Sequence, residues 1–282
     1  MLAWSERSRR DLPWRRTRDP WAVLVSEMML QQTQVSRVEP HYRRFLSRFP
    51  TPAACASAPV GEVIEAWAGL GYNRRAVFLH QAATAVVSRH RGRLPADLAE
   101  LQALPGLGPY TARAVLAFAF EQPTGVVDTN AARVLARAVA GRRLAGREAQ
   151  ALADSLVPAG RSWAWNQAML DLGATCCTSR PSCSGCPLRL DGGCAWAEAG
   201  YPGADPAVGS AGVSGRQSPF AGSDRQGRGR LLRALVDGPV TSSDIAGAAG
   251  WPADAERAAR IAASLIADGL AIQAGGALKL PL

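Results

Sequence analysis

The sequence predicts an all-α protein in which a large helical domain precedes a small second domain. Its 282 residues, 48% hydrophobic and 20% charged, are enough to bury one substantial core and a smaller one. From Trp21 to about Ala195, short helical segments alternate with Pro and Gly breaks, and alternating β-branched runs are few. We therefore expect one helical domain over 1–200, a flexible linker over 201–227 and a second domain over 228–282.

Composition excludes several classes of protein. No run approaches the ~18 uncharged apolar residues of a membrane helix, and residues 1–18 are rich in Arg rather than forming an apolar signal segment. We expect a cytoplasmic protein with no membrane partner. The net charge of +9 comes almost entirely from arginine, because Lys279 is the only lysine. Arginine suits phosphate contacts, so nucleic acid is the leading partner, although a GC-rich coding bias would produce the same excess.

The first informative element is a helix from Trp21 to Leu30. It is apolar on nearly every face, which predicts burial, yet Glu27 lies in its middle. A buried carboxyl either finds a structural hydrogen-bond partner or has its pKa raised by desolvation, which would make it a candidate general acid. We expect Gln31 and Gln34 to extend a polar strip along the same face of this helix.

A glycine-containing turn follows at Leu104–Ala112. Gly106 and Gly108 lie in the turn, and a helix begins directly after it and runs to Phe120. Glycine lets a backbone approach a phosphate closely, and exposed N–H groups at a helix start can receive that phosphate. The segment has the form of a helix-hairpin-helix, which grips a DNA strand without reading its sequence, although most such turns merely join helices.

Asp128 precedes the next helix, which we expect to start at Thr129 and to run to about Ala140. An ordinary N-cap aspartate is the simpler interpretation of this position. Together with Glu27, however, it would provide two carboxyl groups in different environments. N-glycosidic cleavage requires such a pair: an acid for the leaving base and an anion for the oxocarbenium-like sugar.

Five of the six cysteines fall between Cys176 and Cys194. Two residues separate Cys183 from Cys186, Cys194 follows after seven more, and the adjacent Cys176 and Cys177 offer a further ligand. In a reducing cytosol such a cluster indicates a metal centre rather than disulfides. Four thiolates on one short loop can hold a [4Fe-4S] cluster, with tetrahedral zinc as the alternative.

The tail predicts a winged helix-turn-helix. Arg228–Val236 is amphipathic, residues 241–244 offer an N-cap to Ile245–Ala249, and Ala255–Leu270 is a longer helix. Two short apolar runs around Gly275-Gly276 predict a hairpin. Such modules usually bind DNA, but a protein-contact role is open.

Several of these segments resemble the MutY family of adenine DNA glycosylases within the helix-hairpin-helix superfamily. The resemblance covers about residues 10–196, and it is carried by the following segments: Asp11–Arg15, Val25–Glu27, Met29–Thr33, Gly69–Tyr72, Pro109–Thr111, Val127–Asn130 and the cysteine loop 176–194. It implies a helix-hairpin-helix glycosylase fold with a [4Fe-4S] loop, and a monomeric, monofunctional enzyme of base excision repair. The implied substrate is adenine mispaired with 8-oxoguanine or guanine in double-stranded DNA.

The resemblance also implies residue roles. Glu27 would protonate adenine, Asp128 would stabilise the cationic sugar, and Tyr110 and Asn130 would support the site. The cluster ligands would be Cys177, Cys183, Cys186 and Cys194, with Cys176 as the alternative first ligand. Substrate and DNA contacts would come from Trp14, Arg15, Leu30, Gln31, Gln32, Leu70, Tyr72, Gly106, Gly108 and Gln167. Among these, Gln32 and Tyr72 would wedge into the duplex where the base has been flipped out.

The chain departs from the family pattern at three places. The cysteine spacing is five, two and seven from Cys177, where the family has six, two and five. Asn73 stands where a second tyrosine is common. The tail is too short to be the Nudix-like domain of longer members, and it resembles the compact extension of actinobacterial ones.

Three alternatives remain. An endonuclease III-like lyase needs a lysine after the hairpin, where this chain has Tyr110. A thymine glycosylase acting on T·G mismatches also lacks that lysine, but residues 30–33 resemble the adenine branch. An iron–sulfur DNA-binding regulator would have no need for Glu27 and Asp128.

Overall fold

The computed structural model describes residues 1–213 and 219–282 and divides the chain into two compact units. The first unit comprises Met1–Val23, Ala96–Leu98 and Gly108–Arg216, and the second comprises Leu24–Pro95, Ala99–Leu107 and Gln217–Leu282. The chain therefore passes between the units several times. The compact units divide the chain at other places than residues 200 and 227. The predicted domain boundaries at those two residues stay predictions.

The helices follow one another with short connections, and the all-α prediction is confirmed. In chain order the helices before residue 200 are α1 (Leu2–Ser8), α2 (Pro20–Leu30), α3 (Val35–Arg48), α4 (Pro52–Ser57), α5 (Val60–Trp67), α6 (Arg74–His90), α7 (Leu98–Gln102), α8 (Pro109–Phe118), α9 (Thr129–Val134), α10 (Gly146–Ser155), α11 (Ser162–Thr175), α12 (Pro187–Leu190) and α13 (Ala195–Glu198). A 3-10 turn covers Pro13–Arg15. No helix of the described ranges has both the length and the apolar character to cross a membrane.

The core of the first unit forms where α9 packs against α11. Ala131 and Val134 of α9 are buried in the same apolar cluster as Met169 and Leu172 of α11. The two helices approach so closely that a Cβ atom added at Gly173 would lie 2.4 Å from the carbonyl oxygen of Asn130. Glycine is therefore required at this crossing, and the crossing holds the start of α9 against α11.

A π-helix, Leu135–Ala140, continues α9 without a break. It ends at Gly141, which has a φ of +61° and so adopts the left-handed conformation that glycine tolerates. The prediction of a helix from Thr129 to about Ala140 is confirmed in extent, but its second half has wider turns than an α-helix.

The second unit has its core among α3, α5 and α6. Phe45 of α3 contacts Trp67 of α5 edge to face, with ring centroids 6.0 Å apart, and Phe49 at 5.0 Å. Ile64 and Leu79 are fully buried. The turn that follows α7 also belongs to this core. A Cβ atom added at Gly106, whose φ is +77°, would lie 2.5 Å from Cβ of Phe78.

The tail adopts the order of elements of a winged helix. It comprises α14 (Asp224–Asp237), β1 (Val240–Thr241), α15 (Ile245–Ala249), α16 (Ala255–Ala267), β2 (Ile272–Ala274) and β3 (Ala277–Lys279). The strands form an antiparallel sheet in the order β1-β3-β2, with Val240 and Gln273 both opposite Leu278. The predicted hairpin is confirmed, whereas β1 was not predicted, because two residues carry no periodicity.

The first part of the predicted linker lies against the first unit. The Ala211 amide donates to the carbonyl of Leu144 at 3.0 Å, and Ala207 and Ser210 are buried. Residues 214–218 of the predicted linker lie outside the described residues. Helix α14 begins four residues before the predicted position, at Asp224.

Candidate functional site

Asp128 caps α9, and both of its carboxylate oxygens accept hydrogen bonds. The backbone amide of Ala131 donates to Oδ1 at 2.7 Å, and Nδ2 of Asn130 donates to Oδ2 at 2.8 Å. Burial raises the pKa of Asp128, while these bonds and the charge of Arg133 oppose that shift. The residue is thus an N-cap, and the cap fixes the orientation of its carboxylate.

Arg133 extends this network into the interior of the first unit. Its guanidinium donates to Oδ1 of Asn130 at 2.7 Å, to the carbonyl of Gly173 at 2.7 Å and, through Nε, to the carbonyl of Cys177 at 2.8 Å. Desolvation lowers the pKa of Arg133, and the charge of Asp128 opposes this. A continuous series of hydrogen bonds therefore joins the Asp128 carboxylate to the backbone of the cysteine loop.

The five clustered cysteines are brought together around one cavity of the first unit. Cys176, Cys177, Cys183, Cys186 and Cys194 all contribute to its lining. The cysteines therefore lie near one another, while their assignment as ligands of one metal centre stays a prediction. Within the described part of the chain, no three His, Cys, Asp or Glu side chains are arranged to bind one metal ion.

The thiol donor set is nevertheless of the kind that soft metal centres require. Burial raises the pKa of Cys177 and of Cys186, so neither buried thiol ionises readily without a metal. The charge of Arg137 opposes the rise in the pKa of Cys177. Its NH1 group donates to Sγ of Cys177 at 3.4 Å and to the carbonyl of Thr178 at 2.6 Å. The same guanidinium forms a bidentate pair with Asp205, at 2.8 and 2.6 Å. A cation thus lies beside the Cys177 sulfur, where a thiolate would be stabilised.

Glu27 lies in α2 of the second unit and is 5% exposed. Ser26 and Met28 beside it are also buried, so the prediction of a buried helix is confirmed. The predicted polar strip is wrong, because α2 ends at Leu30 and a turn separates it from α3. Gln34 is therefore not on the same helix, although Gln31 turns back and places Nε2 3.6 Å from the Met28 sulfur.

The two predicted wedge residues, Gln32 and Tyr72, share an unusual backbone conformation. Their φ angles are +52° and +47°, in the left-handed region that costs a residue other than glycine of order 1–3 kcal/mol. Tyr72 is 43% exposed. Such strain persists only where surrounding bonds hold the backbone in place.

Arg75 supplies those bonds, and sequence analysis did not identify it. Its buried guanidinium donates to acceptors on both sides of the two strained residues, at 2.6–3.2 Å: the carbonyls of Met28, Met29, Gln31, Gly71 and Tyr72, and Oγ1 of Thr33. Burial lowers the pKa of Arg75 to about 10. The sequence does show a basic residue shortly after Gly71-Tyr72, but nothing in the sequence distinguishes Arg75 from the many other arginines.

Arg15 and Trp14, predicted as adenine contacts, are both buried in the first unit. Arg15 pairs with the Asp171 carboxylate through two bonds of 2.7 and 2.9 Å, and Nε of Arg10 adds a third at 2.6 Å. Burial alone would raise the pKa of Asp171, but the bonds to Arg15 and Arg10 hold it below its usual range. Asp171 was also missed by sequence analysis.

The remaining predicted site residues are distributed over the two units. Gln167 is buried and Tyr110 half-buried in the first unit, while Leu70 is buried in the second. Gly108 precedes α8 with an extended backbone, and a Cβ atom there would meet nothing within 4 Å. Gly106 adopts a positive φ, so the two turn glycines differ: only the first is required by the conformation.

Comparison with known proteins places residues 25–158 in the family described as HhH-GPD superfamily base excision DNA repair protein. The adenine DNA glycosylase of Mycobacterium tuberculosis is 44% identical over 279 residues, which cover 96% of this chain and 88% of that protein. The human adenine DNA glycosylase is 44% identical over 204 residues, which cover 67% of this chain and 37% of that protein.

Among solved structures, a thermostable thymine-DNA glycosylase matches with a TM-score of 0.64 and 30% identity, covering 70% of this chain and 93% of that one. A non-covalent endonuclease III–DNA complex matches with a TM-score of 0.60 and 23% identity, covering 70% and 92%. The second likeness concerns the fold alone.

Proposed function

The chain belongs to the adenine DNA glycosylase family of the HhH-GPD superfamily, and from this premise we propose that it hydrolyses the N-glycosidic bond of adenine mispaired with 8-oxoguanine or guanine. The observation that carries the proposal is the different placement of its two carboxyl groups. Glu27 is buried in the middle of an apolar helix, and Asp128 caps the start of α9, where a backbone amide and the Asn130 side chain donate to its carboxylate. Different environments for two carboxyl groups suit acid and anion roles in glycosidic cleavage.

In the proposed reaction, Glu27 protonates the adenine as the glycosidic bond breaks, and the ionised Asp128 faces the positive charge that develops on the sugar. Water then adds to C1′ and loses a proton, leaving an abasic site and free adenine. Burial raises the pKa of Asp128, and the bonds from Ala131 and Asn130 oppose that shift and so favour the ionised form. Tyr110 and Asn130 support the site, the latter held in turn by Arg133.

We further propose that the enzyme has no lyase activity. A lyase step would need an amine that forms a Schiff base with the sugar, and the candidate position after the hairpin holds Tyr110. Lys279 lies on β3 of the tail and is the only lysine. Strand cleavage is therefore expected only after alkaline treatment.

The proposed cofactor is a [4Fe-4S] cluster on Cys177, Cys183, Cys186 and Cys194. Support comes from the shared cavity of these residues and from Arg137 beside the Cys177 sulfur, which favours Cys177 over Cys176 as the first ligand. The cluster would supply a thiolate-bound core for a loop that has little secondary structure of its own. Anaerobically purified protein should absorb broadly near ~400 nm. Stoichiometric zinc without iron would contradict this assignment, and Cys176→Ser should retain the absorbance that Cys177→Ser loses.

The proposed partner is mismatched double-stranded DNA, bound by a monomer in the cytoplasm. The test is a gel assay on a duplex with adenine opposite 8-oxoguanine, analysed with and without alkali. Cleavage only after alkali supports the proposal, and cleavage without alkali would indicate a lyase. Removal of thymine from a T·G duplex in preference to adenine would favour the mismatch enzyme, and binding without cleavage would favour a regulator.

A further inference from the structure

A basic groove lies within the second unit and is not accounted for by the reaction. Its volume is about 1450 Å³, and it contains Gln32 and Tyr72. Its walls come from residues 31–41, residues 68–78 and one face of α14. Six arginines line it, against Asp268 as the one carboxylate among the described lining residues: Arg37, Arg74, Arg75, Arg225, Arg228 and Arg233.

Three of these arginines make identified contacts with Asp268 or with the backbone of the groove. Arg228 pairs with Asp268 at 2.5 Å, and Arg74 lies 3.5 Å from the same carboxylate. Arg75 donates to the backbone of the turns around Gln32 and Tyr72. Because the described lining residues include six arginines and a single carboxylate, the groove is strongly positive.

Arg37 and Arg233 extend toward solvent, and Arg225 is half-buried. Arg37 is exposed and has no ion-pair partner among residues 1–213 and 219–282. Arg233 is 70% exposed, with its Nε 3.9 Å from Asp237 on the next helical turn, a pair of little strength. Arg225 lies with its guanidinium carbon 6.0 Å from the Phe220 ring. Arg37 and Arg233 can therefore reach an anionic ligand without breaking a buried pair.

The groove face of α14 is also open at the backbone. Gly229 lies between Arg225 and Arg233 at helical spacing, and a Cβ atom added there would meet nothing within 4 Å. Glycine inside a helix costs roughly 0.5–1 kcal/mol relative to alanine. At position 229 the less stable residue is present although a larger side chain would fit.

Helix α16, which follows the turn of the helix-turn-helix, differs from α14 in its charges. Both of its arginines are paired: Arg257 with Asp224 at 2.7 Å and Arg260 with Glu256 at 3.0 Å. Arg257 also stacks on Trp251, 3.8 Å from the ring centroid. In a helix-turn-helix the second helix ordinarily enters the major groove, but here neither arginine of α16 lines the basic groove.

We propose that the winged helix of this protein binds DNA through α14 and not through α16. Arg225, Arg233 and Arg37 bind phosphates of the DNA that flanks the extruded base, in the groove that also holds Gln32 and Tyr72. The tail is thereby part of the DNA-binding surface of the second unit rather than a separate sequence-reading module. This inference rests on the proposed function only in taking mismatched DNA as the ligand.

The test compares two double variants that remove equal charge from the same domain. Arg225→Ala with Arg233→Ala removes groove cations, whereas Arg230→Ala with Arg260→Ala removes exposed arginines that do not line the groove. The probe is a duplex with 8-oxoguanine opposite a 2′-fluoro-adenosine, because fluorine at C2′ destabilises the cationic sugar and prevents excision. Binding is measured over a range of salt concentrations.

Each lost phosphate contact should reduce the slope of log K against log salt by about 0.9, or roughly 30-fold in affinity for two contacts at 0.15 M salt. We expect this loss for the groove pair and less than about 3-fold for the control pair. Equal losses for both pairs, or a larger loss for the control pair, would overturn the proposal.

A second comparison uses the open position. Gly229→Glu introduces a carboxylate into the groove and should weaken binding by at least about 10-fold, whereas Gly229→Ala fills the same space without charge and should leave binding within about 3-fold. Unchanged binding by Gly229→Glu would contradict the assignment of α14. A wild-type protein that binds the probe but does not excise ordinary adenine would refute the proposed function alone.

Discussion

The interior of the first unit and the open part of the groove in the second unit use arginine in different ways, and buried Arg75 of the second unit resembles the first group. In the first unit, Arg15, Arg133 and Arg137 are buried and bond to backbone carbonyls and carboxylates far away in sequence. In the groove of the second unit, Arg37 and Arg233 extend into solvent. A net charge counts all of these residues equally. The difference shows that only part of the basic excess is available for DNA, and that the remainder stabilises the fold.

The largest effect is expected at Arg133. Arg133→Met would leave the oxygens of Asn130, Gly173 and Cys177 without this donor, at about 1–3 kcal/mol for each buried acceptor that finds no water. We expect the free energy of unfolding, measured with urea, to fall by about 4 kcal/mol in total, and excision to fall because Asn130 is released from its position. A loss below about 1 kcal/mol would show that buried arginines contribute no more to stability than exposed ones.

The second largest loss is expected for Asp171→Asn. The free energy of unfolding should fall by about 3 kcal/mol, because the substitution leaves Arg15 buried without its carboxylate partner. The wild-type contribution depends on pH in a defined direction. Because the folded pKa of Asp171 lies below its unfolded value, the stabilisation is complete above the unfolded pKa of about 4 and is lost as the pH falls through the folded pKa. Thermal unfolding between about pH 2 and 7 should show the variant losing less stability than the wild type on acidification. Parallel curves for the two proteins would contradict this assignment.

Arg75→Lys should have a smaller effect on stability, about 1–2 kcal/mol, because an ammonium keeps the charge but has three donors in place of the guanidinium fork. The loss of free energy of DNA binding should exceed the loss of free energy of unfolding, because Gln32 and Tyr72 lose the hydrogen bonds that hold their strained backbone. Arg74→Lys, at the neighbouring exposed position, is the matched control. Equal binding by both variants would show that the strained turns need no such clamp.

The smallest effect is expected for an exposed pair. Arg43 and Glu39 lie one helical turn apart on α3, with a separation of 2.8 Å and both side chains well exposed. Arg43→Ala should change the free energy of unfolding by no more than about 0.5 kcal/mol in urea titrations. A loss comparable to that of Asp171→Asn would remove the distinction between the two classes of arginine.

Sequence reasoning predicted the parts that depend on local patterns. Burial of Glu27 followed from the apolar surroundings of α2, the cap at Asp128 from the helix start, and the convergence of the cysteines from their spacing. The hairpin of the tail and the position of α15 followed from turn residues in the same way. These features can be predicted because each is determined by a few neighbouring residues.

The partners of the buried cations could not be predicted. The bonds from Arg133 to Cys177, from Arg137 to Asp205 and from Arg15 to Asp171 join segments that are distant in sequence. With 31 arginines, obtained from 32 basic residues less the one lysine, no single arginine is conspicuous. The polar strip through Gln31 and Gln34 was wrongly predicted, because the polar residues after Leu30 fit a helix as well as a turn.

The π-helix at Leu135–Ala140 has a consequence for insertions and deletions. Its wide turns contain about one residue more than an α-helix of equal length. The segment begins two residues after Arg133 and contains Arg137, and the guanidinium groups of both approach the carbonyl of Cys177, at 2.8 and 3.4 Å. Deleting one residue from this segment would restore regular α-helical winding and leave later side chains close to their present directions, whereas a deletion from a regular α-helix turns every later side chain by roughly 100° about the helix axis. Relatives that have an unbroken α-helix here should therefore be one residue shorter in this segment.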